Sequence, residues 1–236
     1  MHANDRPQEA DARLLLNIAR GFLCFFWSVP LYLLTLLRGS QLKLVIFERL
    51  AVPLLVVPGI LALSGSLLLR RTRRLSVEWA HGTDNLLRAV LAAMYFSLPA
   101  GWWLALQRSD YLFLNFLLLI LCLLWMLQAV GFLGGELGRI LGRRTLAVEA
   151  EVGEWGVIIL QLLPYLAMFT IAIYHAFQSH LPLPIGMQKE VLRLPVWLRA
   201  AALLPCAVIM SVCWRCRSLC IEGIIRNRRL PVGGSG

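Results

Sequence analysis

The segment YLFLNFLLLILCLLWMLQAVGFLGGELGRILGRR, residues 111–144, decides the class of this protein. Its first 24 residues, 111–134, carry no charge. An apolar helix of about 20 residues is long enough to cross the hydrocarbon core of a bilayer. Arg143 and Arg144 end the segment, as is typical of the cytoplasmic end of a membrane-spanning helix. The segment therefore predicts a transmembrane helix whose last turns are rich in glycine.

The rest of the chain has the same apolar character. Hydrophobic residues make up 59% of the 236 residues and charged residues 15%, against about 45–50% and about 25% in soluble domains. Six apolar runs can be marked, at 21–37, 50–69, 86–106, 111–134, 155–177 and 195–213. The second could begin at Leu44 and the fourth could extend to Leu141. The prediction is a single membrane domain over 1–236, an all-α polytopic integral membrane helical bundle with about six transmembrane helices.

Basic residues indicate the orientation of these helices. The chain contains 23 Lys and Arg residues and has a net charge of +10, but the basic residues lie at the ends of apolar runs, which argues against nucleic acid as a partner. With the N-terminus inside, 16 of them fall in inner segments and 7 in outer segments. This distribution predicts an inner or plasma membrane protein with N- and C-termini cytoplasmic. Aromatic residues expected at headgroup level are Trp102, Trp103, Tyr111, Trp79, Trp155 and Trp214.

A short pattern recurs after every second run. The sequences RRTRRLSVE, RRTLAVE and RCRSLCIE end at Glu78, Glu149 and Glu222, at intervals of 71 and 73 residues. We interpret the pattern as three tandem helical hairpins, at 13–80, 81–151 and 152–225. The alternative is that each cytoplasmic helix end needs arginines for topology alone. Residues 1–12 are expected to form a polar N-terminal tail, and 232–236, VGGSG, resemble an artificial linker.

Prolines recur in the outgoing helix of each hairpin, at Pro30, Pro99 and Pro164. A proline in the middle of a span kinks the helix, and Pro205 is expected to kink the sixth. Three proline-kinked hairpins resemble the mitochondrial carriers. That family's signature places an acidic and then a basic residue after the proline, and no charge follows any of these three prolines. We therefore assign no family.

The sharpest local motif closes the fourth run. Glycines four residues apart form a smooth groove on one helix face, where a second helix can approach closely. The predicted packing glycines are Gly131, Gly134, Gly135, Gly138 and Gly142. Their partner could belong to the same bundle or to another subunit.

Four acidic residues are candidates for function. Glu136 lies about one turn from the inner boundary, where it could line an ion path or pair with Arg139 or Arg88. If it sits in the headgroup layer, it has no such role. Glu78, Glu149 and Glu222 are repeated cytoplasmic carboxylates, which could ring a shared axis and attract cations or pair with neighbouring arginines.

The cytoplasmic arginines predict contacts with anionic lipid headgroups, because the guanidinium fork matches phosphate. The residues concerned are Arg70, Arg71, Arg73, Arg74, Arg143, Arg144, Arg215 and Arg217. Cys213, Cys216 and Cys220 share one helix face and could ligate zinc, but no fourth ligand is evident. No catalytic motif is present, and we predict no catalytic residue, no metal and no cofactor.

Three function classes remain open. The first is a small channel or transporter, with a path inside one chain or around an oligomer axis. The second is a non-catalytic scaffold, anchoring or assembly subunit of a larger membrane complex, and the third is a membrane enzyme or redox subunit. Partners are expected to be membrane lipids and either further copies of the chain or other membrane subunits. Few polar residues lie in the spans beyond Asn115, Gln128, Gln161 and serines, which argues against a wide hydrated pore.

Overall fold

The computed structural model describes residues 5–41, 45–106, 110–179 and 195–228. Within these ranges the chain forms helices joined by short turns, and it contains no strand. The helices are α1 (Asp5–Gln41), α2 (Val45–Arg70), α3 (Val77–Leu106), α4 (Asp110–Ile140), α5 (Arg144–Gly156), α6 (Leu163–Ser179), α7 (Val196–Ala201) and α8 (Leu204–Arg228). A π-helical segment, Val157–Leu162, joins α5 to α6 directly. The predicted all-α fold is confirmed.

Several of these helices have the dimensions of membrane spans. Four stretches are long and apolar enough to cross a bilayer: Ala12–Leu36, Asp110–Ile140, Arg144–Ile171 and Leu204–Ile225. Leu55–Arg70 is a shorter apolar helix. These apolar helices are compatible with a location in a membrane.

The helices extend beyond the apolar runs that predicted them. α1 begins at Asp5, so residues 5–12 of the predicted polar tail are helical. α5 begins at Arg144, whereas the corresponding run begins at residue 155. The last run, 195–213, is divided between α7 and α8 by a turn at 202–203, and α8 continues to Arg228. Hydropathy misses these polar ends because backbone hydrogen bonds, which form a helix, do not depend on side-chain polarity. Residues 232–236 lie outside the described residues.

The helices pack in a ring. α1 contacts α2, α2 contacts α3, and α3 contacts α4. α5 packs against α4, and α8 contacts α4, α5 and α1, so the last helix closes the ring against the first. The shared core is apolar, and its largest fully buried side chains include Trp79, Phe22, Phe25, Leu133 and Met126.

The glycines of α4 allow two helices to approach it. A Cβ atom at Gly131 would meet Glu154 and Ile209, and one at Gly134 would meet Val212, Cys216 and Ala150. A Cβ at Gly135 would lie 3.4 Å from the Cβ of Ala150. At Gly138 it would lie 2.8 Å from the main-chain nitrogen of Ala147. The groove therefore receives α5 and α8 of the same chain.

Gly142 does not belong to this groove. The prediction that it shares a helix face with Gly134 and Gly138 is wrong, because it lies beyond the end of α4. α4 ends at Ile140, and Gly142 has a φ of 64°, which disfavours residues with a side chain. Its N–H donates to the carbonyl of Arg139 at 3.1 Å, and the Arg143 N–H donates to the carbonyl of Gly138 at 2.7 Å. These two bonds form a Schellman cap, which ends α4 and reverses the chain into α5.

Trp79 is also placed differently from the prediction. Its side chain is fully buried in the core, and its indole N–H donates to the hydroxyl of Thr72 at 3.0 Å. Thr72 in turn donates to the carbonyl of Leu69 at 2.6 Å. Trp79 therefore holds the turn between α2 and α3 from the inside, whereas Trp155 and Trp214 are exposed, as residues at headgroup level would be.

Substitution of Gly138 by alanine should destabilise the protein. The added methyl group would press on the backbone of Ala147, which has no rotamer to change. Overpacking of this kind costs about 1–3 kcal/mol, more than the gain of up to about 1 kcal/mol in helix propensity. We expect a lower midpoint of thermal unfolding in detergent.

Gly223→Ala is the matched control for Gly138→Ala. Its new Cβ would meet only the tip of the flexible Leu15 side chain, at 3.3 Å, so we expect no loss of stability. Equal unfolding midpoints for the two variants would show that the contact between α4 and α5 is not tight.

Candidate functional site

The long helix that runs from Arg144 to Ser179 changes its hydrogen-bond register near the middle. At the end of the π-helical segment the N–H of Leu163 donates to the carbonyl of Ile158, five residues back. Pro164 follows at once and has no N–H to donate. π-Helical turns are rare in proteins, and those that occur often lie at functional sites. The irregularity therefore makes this level of the helix a candidate for a functional site.

A second irregularity lies opposite the first. The turn at 202–203 separates α7 from α8, and the N–H of Leu203 donates to the carbonyl of Ala200 at 3.0 Å. Pro205 is buried in the first turn of α8. Proline is favoured in a first turn because its missing N–H would have no partner in the helix. The prediction that Pro205 kinks the middle of a span is therefore wrong: the helix is broken before it.

Gln161 connects the two irregular segments. Its Nε2 donates to the carbonyl of Ala202 at 2.6 Å and lies 3.1 Å from the Sγ of Cys206. The break in the helix leaves the carbonyl of Ala202 without a main-chain donor from its own helix. The side-chain amide of Gln161 takes the place of that donor. Its other polar atom, Oε1, is buried and accepts no hydrogen bond within the described residues.

The unpartnered oxygen gives the site its chemical character. Leaving a buried acceptor without a hydrogen bond costs about 1–3 kcal/mol. A ligand that brings positive charge or an N–H or O–H group would remove this cost. Pro164 adds to the acceptor surplus, since it cannot donate to a main-chain carbonyl one turn back. The site is suited to a small cation or to a solute that donates hydrogen bonds.

Sequence reasoning noted Gln161 only as one of few polar residues in the spans. The signal that could have found it is a glutamine three residues before Pro164, because a proline in a helix frees carbonyl groups nearby. Its partner, Ala202, is 41 residues away in sequence, and no local pattern identifies it.

Glu136 is buried and tied to the start of α3. Its Oε1 accepts a hydrogen bond from the Ser76 hydroxyl at 3.0 Å, and Arg139 Nη1 lies 3.5 Å from its Oε2. The Ser76 oxygen also accepts from the N–H of Trp79 at 3.0 Å, so Ser76 caps α3 while it holds Glu136. These contacts give Glu136 a role in joining α4 to α3. The ion path suggested by its sequence position stays a prediction.

The three repeated carboxylates have different surroundings. Glu149 Oε2 lies 2.5 Å from Arg215 Nη1, which links α5 to α8 by an ion pair rather than by an aligned hydrogen bond. Glu78 and Glu222 are exposed, and neither forms an ion pair within the described residues. Nothing among the described contacts joins the three carboxylates to one another.

Most of the arginines predicted to meet lipid are exposed. Arg70 and Arg73 pair with Asp84, and Arg217 lies over the ring of Trp214 at 4.7 Å. Arg71, Arg74, Arg143 and Arg144 lie at the surface.

The cysteines of α8 face the core. Cys213, Cys216 and Cys220 are fully buried, and the groove of α4 lies beside Cys216. Within the part of the chain that the structure describes, no group of three or more His, Cys, Asp or Glu side chains is placed to hold a metal ion.

Two acidic residues that the sequence did not single out also have defined places. Asp84 is the shared partner of two arginines, and Glu154 packs against Gly131 and Gly135 in the groove of α4. Both depend on contacts between separate helices, which a single sequence does not reveal. No protein family, curated protein or solved structure matches this chain.

Substitution of Ser76 by alanine should destabilise the junction of α3 and α4. The change removes the cap of α3 and the hydroxyl that donates to Glu136, and each loss costs about 1–2 kcal/mol. We expect a lower midpoint in thermal or denaturant unfolding in detergent.

Ser64→Ala is the control, since its exposed hydroxyl bonds only to the carbonyl of Ile60 one turn earlier, at 2.8 Å. We expect a change within about 0.5 kcal/mol for this variant. If both serine variants unfold alike, the link between Ser76 and Glu136 contributes nothing.

Proposed function

We propose that this chain is a small membrane transporter that carries a cation or a protonated amine past the site formed by Gln161, Ala202 and Cys206. The observation that carries the proposal is the unpartnered, buried Oε1 of Gln161 between two interrupted helices. Interrupted helices at membrane depth are typical of transporter sites, because they present main-chain and side-chain polar groups to a solute.

The proposal includes six spans arranged as three hairpins with both termini cytoplasmic. α1 with α2, and α3 with α4, pack as neighbours, and α5 with α6 would pair with α8 as the third hairpin. The four longer apolar stretches supply four of the spans, and α2 and α3 would be the other two. The placement of arginines after every second span supports the orientation.

The depth of the site in this arrangement supports a transport role. Cys206 precedes Arg215 by nine residues, which corresponds to about 14 Å along a helix. If Arg215 marks the inner edge of the hydrocarbon core, Cys206 and Gln161 lie near the middle of a core about 30 Å thick. Transporters commonly bind their substrates near this level.

The ring formed by α1 to α4 has no interrupted helix within the described residues. Ser28 donates to the carbonyl of Pro58 at 2.9 Å and Ser97 to that of Ala93 at 2.7 Å, whereas the buried hydroxyl of Tyr32 has no hydrogen-bond partner within the described residues. The surrounding side chains are apolar. A path beside α5, α6 and α8 is therefore better supported than a pore through the ring.

A scaffold or assembly subunit is the second candidate, and one observation favours it. In the apolar 18-residue part of the stretch Arg144–Ile171 only 17% of the residues are buried, against 39%, 56% and 39% in the corresponding parts of the other three stretches. Its exposed face carries Val148, Val152, Trp155, Ile159 and Leu163, which lipid or another subunit could cover. Close helix pairs in membranes need small residues. Gly153 and Gly156 of this stretch already face α8 of the same chain, which leaves them unavailable to another subunit. We therefore place transport before the scaffold.

Replacement of Gln161 by leucine should strongly reduce transport. The change removes both the acceptor oxygen and the donor to Ala202. Loss of a hydrogen bond to a charged group costs about 1.5–3 kcal/mol, so we expect uptake to fall by about tenfold or more. The measurement is tracer uptake of sodium, rubidium or methylammonium into liposomes, normalised to monodisperse protein.

Gln128→Leu is the matched control, since it makes the same chemical change on α4 and should leave uptake intact. Wild-type uptake no faster than that of empty liposomes for all three tracers would exclude the proposal. Uptake unchanged by Gln161→Leu would place the path elsewhere.

The topology is tested separately by reporter fusions. With the C-terminus cytoplasmic, a fluorescent protein fused there should fluoresce and alkaline phosphatase should be inactive, because the phosphatase needs an oxidising compartment. A phosphatase fused after residue 108, between α3 and α4, should be active. The opposite pattern would invert the orientation.

A further inference from the structure

The turn between α2 and α3 forms an open cleft on the surface of the protein. The cleft has a volume of about 370 Å³, near the lower end of ligand-sized pockets. Its lining consists of Arg73, Arg74, Ser76, Val77, Ala80, His81 and Asp84. The lining therefore combines basic side chains and a carboxylate with an apolar wall that includes Val77 and Ala80.

Asp84 fixes the geometry of the basic side. Its Oδ1 accepts from Arg70 Nε at 3.1 Å, and its Oδ2 accepts from Arg73 Nη2 at 2.7 Å. One carboxylate thus orients two guanidinium groups. Each guanidinium has five N–H donors, so most of the donors of Arg73 remain available to a ligand.

Positive charge remains in excess after this pairing. Arg70, Arg71, Arg73 and Arg74 follow one another at the turn, while Asp84 and the exposed Glu78 are the carboxylates near it. Glu136 is turned inward, where it is held by Ser76 and Arg139. Arg74 forms no ion pair within the described residues. The cleft therefore attracts an anion.

Phosphate is the anion that this donor set fits best. Guanidinium groups bind phosphate oxygens through paired N–H donors, and a histidine ring supplies a further N–H. The exposed side chain of Val77 lies in the same cleft, beside the donors. A ligand with a phosphate group and an adjoining apolar part would satisfy both sides of the cleft.

We propose that this cleft is a binding site for a phosphate group, carried by an anionic lipid headgroup or by soluble phosphate, with Arg73, Arg74 and His81 as donors. The site does not depend on transport and would exist in a scaffold as well. It differs from a general attraction of basic residues to a membrane, because Asp84 holds Arg73 in a fixed position beside Arg74 and His81 in one cleft.

The test measures the binding of three probes to the whole chain in a non-ionic detergent, by calorimetry or native mass spectrometry. The probes are dihexanoyl phosphatidylglycerol, inorganic phosphate and dihexanoylglycerol, which lacks phosphate. Arg74→Gln removes one donor group without touching the pairs with Asp84. We expect it to weaken binding of a phosphate-bearing probe by about tenfold.

Arg144→Gln is the matched control, since it removes an exposed arginine at the other cytoplasmic turn and should leave binding unchanged. Binding of phosphatidylglycerol alone identifies a lipid headgroup, and binding of inorganic phosphate identifies the phosphate group as sufficient; both support the site. Three results would each overturn the site. They are binding of dihexanoylglycerol as strong as that of the phosphate-bearing probes, weakening by Arg144→Gln equal to that by Arg74→Gln, and unchanged binding by an Arg74→Gln variant that unfolds like the wild type.

Discussion

Inside a bilayer, no water is available to pair with the polar groups of the backbone, so every N–H and carbonyl must find its partner within the protein. Most of this chain meets the requirement with uninterrupted helices. The two informative places are those where a helix stops or changes register. At Gly142 the Schellman bonds serve the last carbonyls of α4. At the break before α8 a side chain, Gln161, serves the carbonyl of Ala202. The same requirement makes the remaining Gln161 oxygen conspicuous, because no donor among the described residues bonds to it.

Close packing is the second condition for the fold. Lipid tails are as apolar as leucine, so membrane helices gain little from burying apolar surface against each other and depend on contact at short range. α4 provides this contact through Gly131, Gly134 and Gly138, which bring α5 and α8 against its backbone. The break before α8 and the π-helical segment are held next to each other because both helices are anchored on α4. The candidate site is therefore positioned by glycines that lie outside it.

The sequence predicted what depends on composition and local pattern. The helical class, the position of α4 and the glycine-rich turns of α4 follow from hydropathy and spacing along a single helix. Gly142 shows where spacing alone fails. It follows Gly138 by four residues, as a groove residue would, but its positive φ ends the helix before it. Trp79 was expected at headgroup level, yet the hydroxyl of Thr72 allows its indole to be buried. The pairs Ser76–Glu136 and Gln161–Ala202 join residues 60 and 41 positions apart, and a single sequence does not record which distant residues meet.

The closure of the ring by α8 has a consequence for the order in which the protein is made. Synthesis proceeds from the N-terminus, and elements near it fold first. α1 and α4 exist before α8 emerges, although α8 is the helix that covers the groove of α4 and contacts α1. Until α8 has been synthesised, the small residues of α4 lack one of their two partners. Before that point the chain forms an open arc of helices, and the packing of α8 against α1 and α4 closes it.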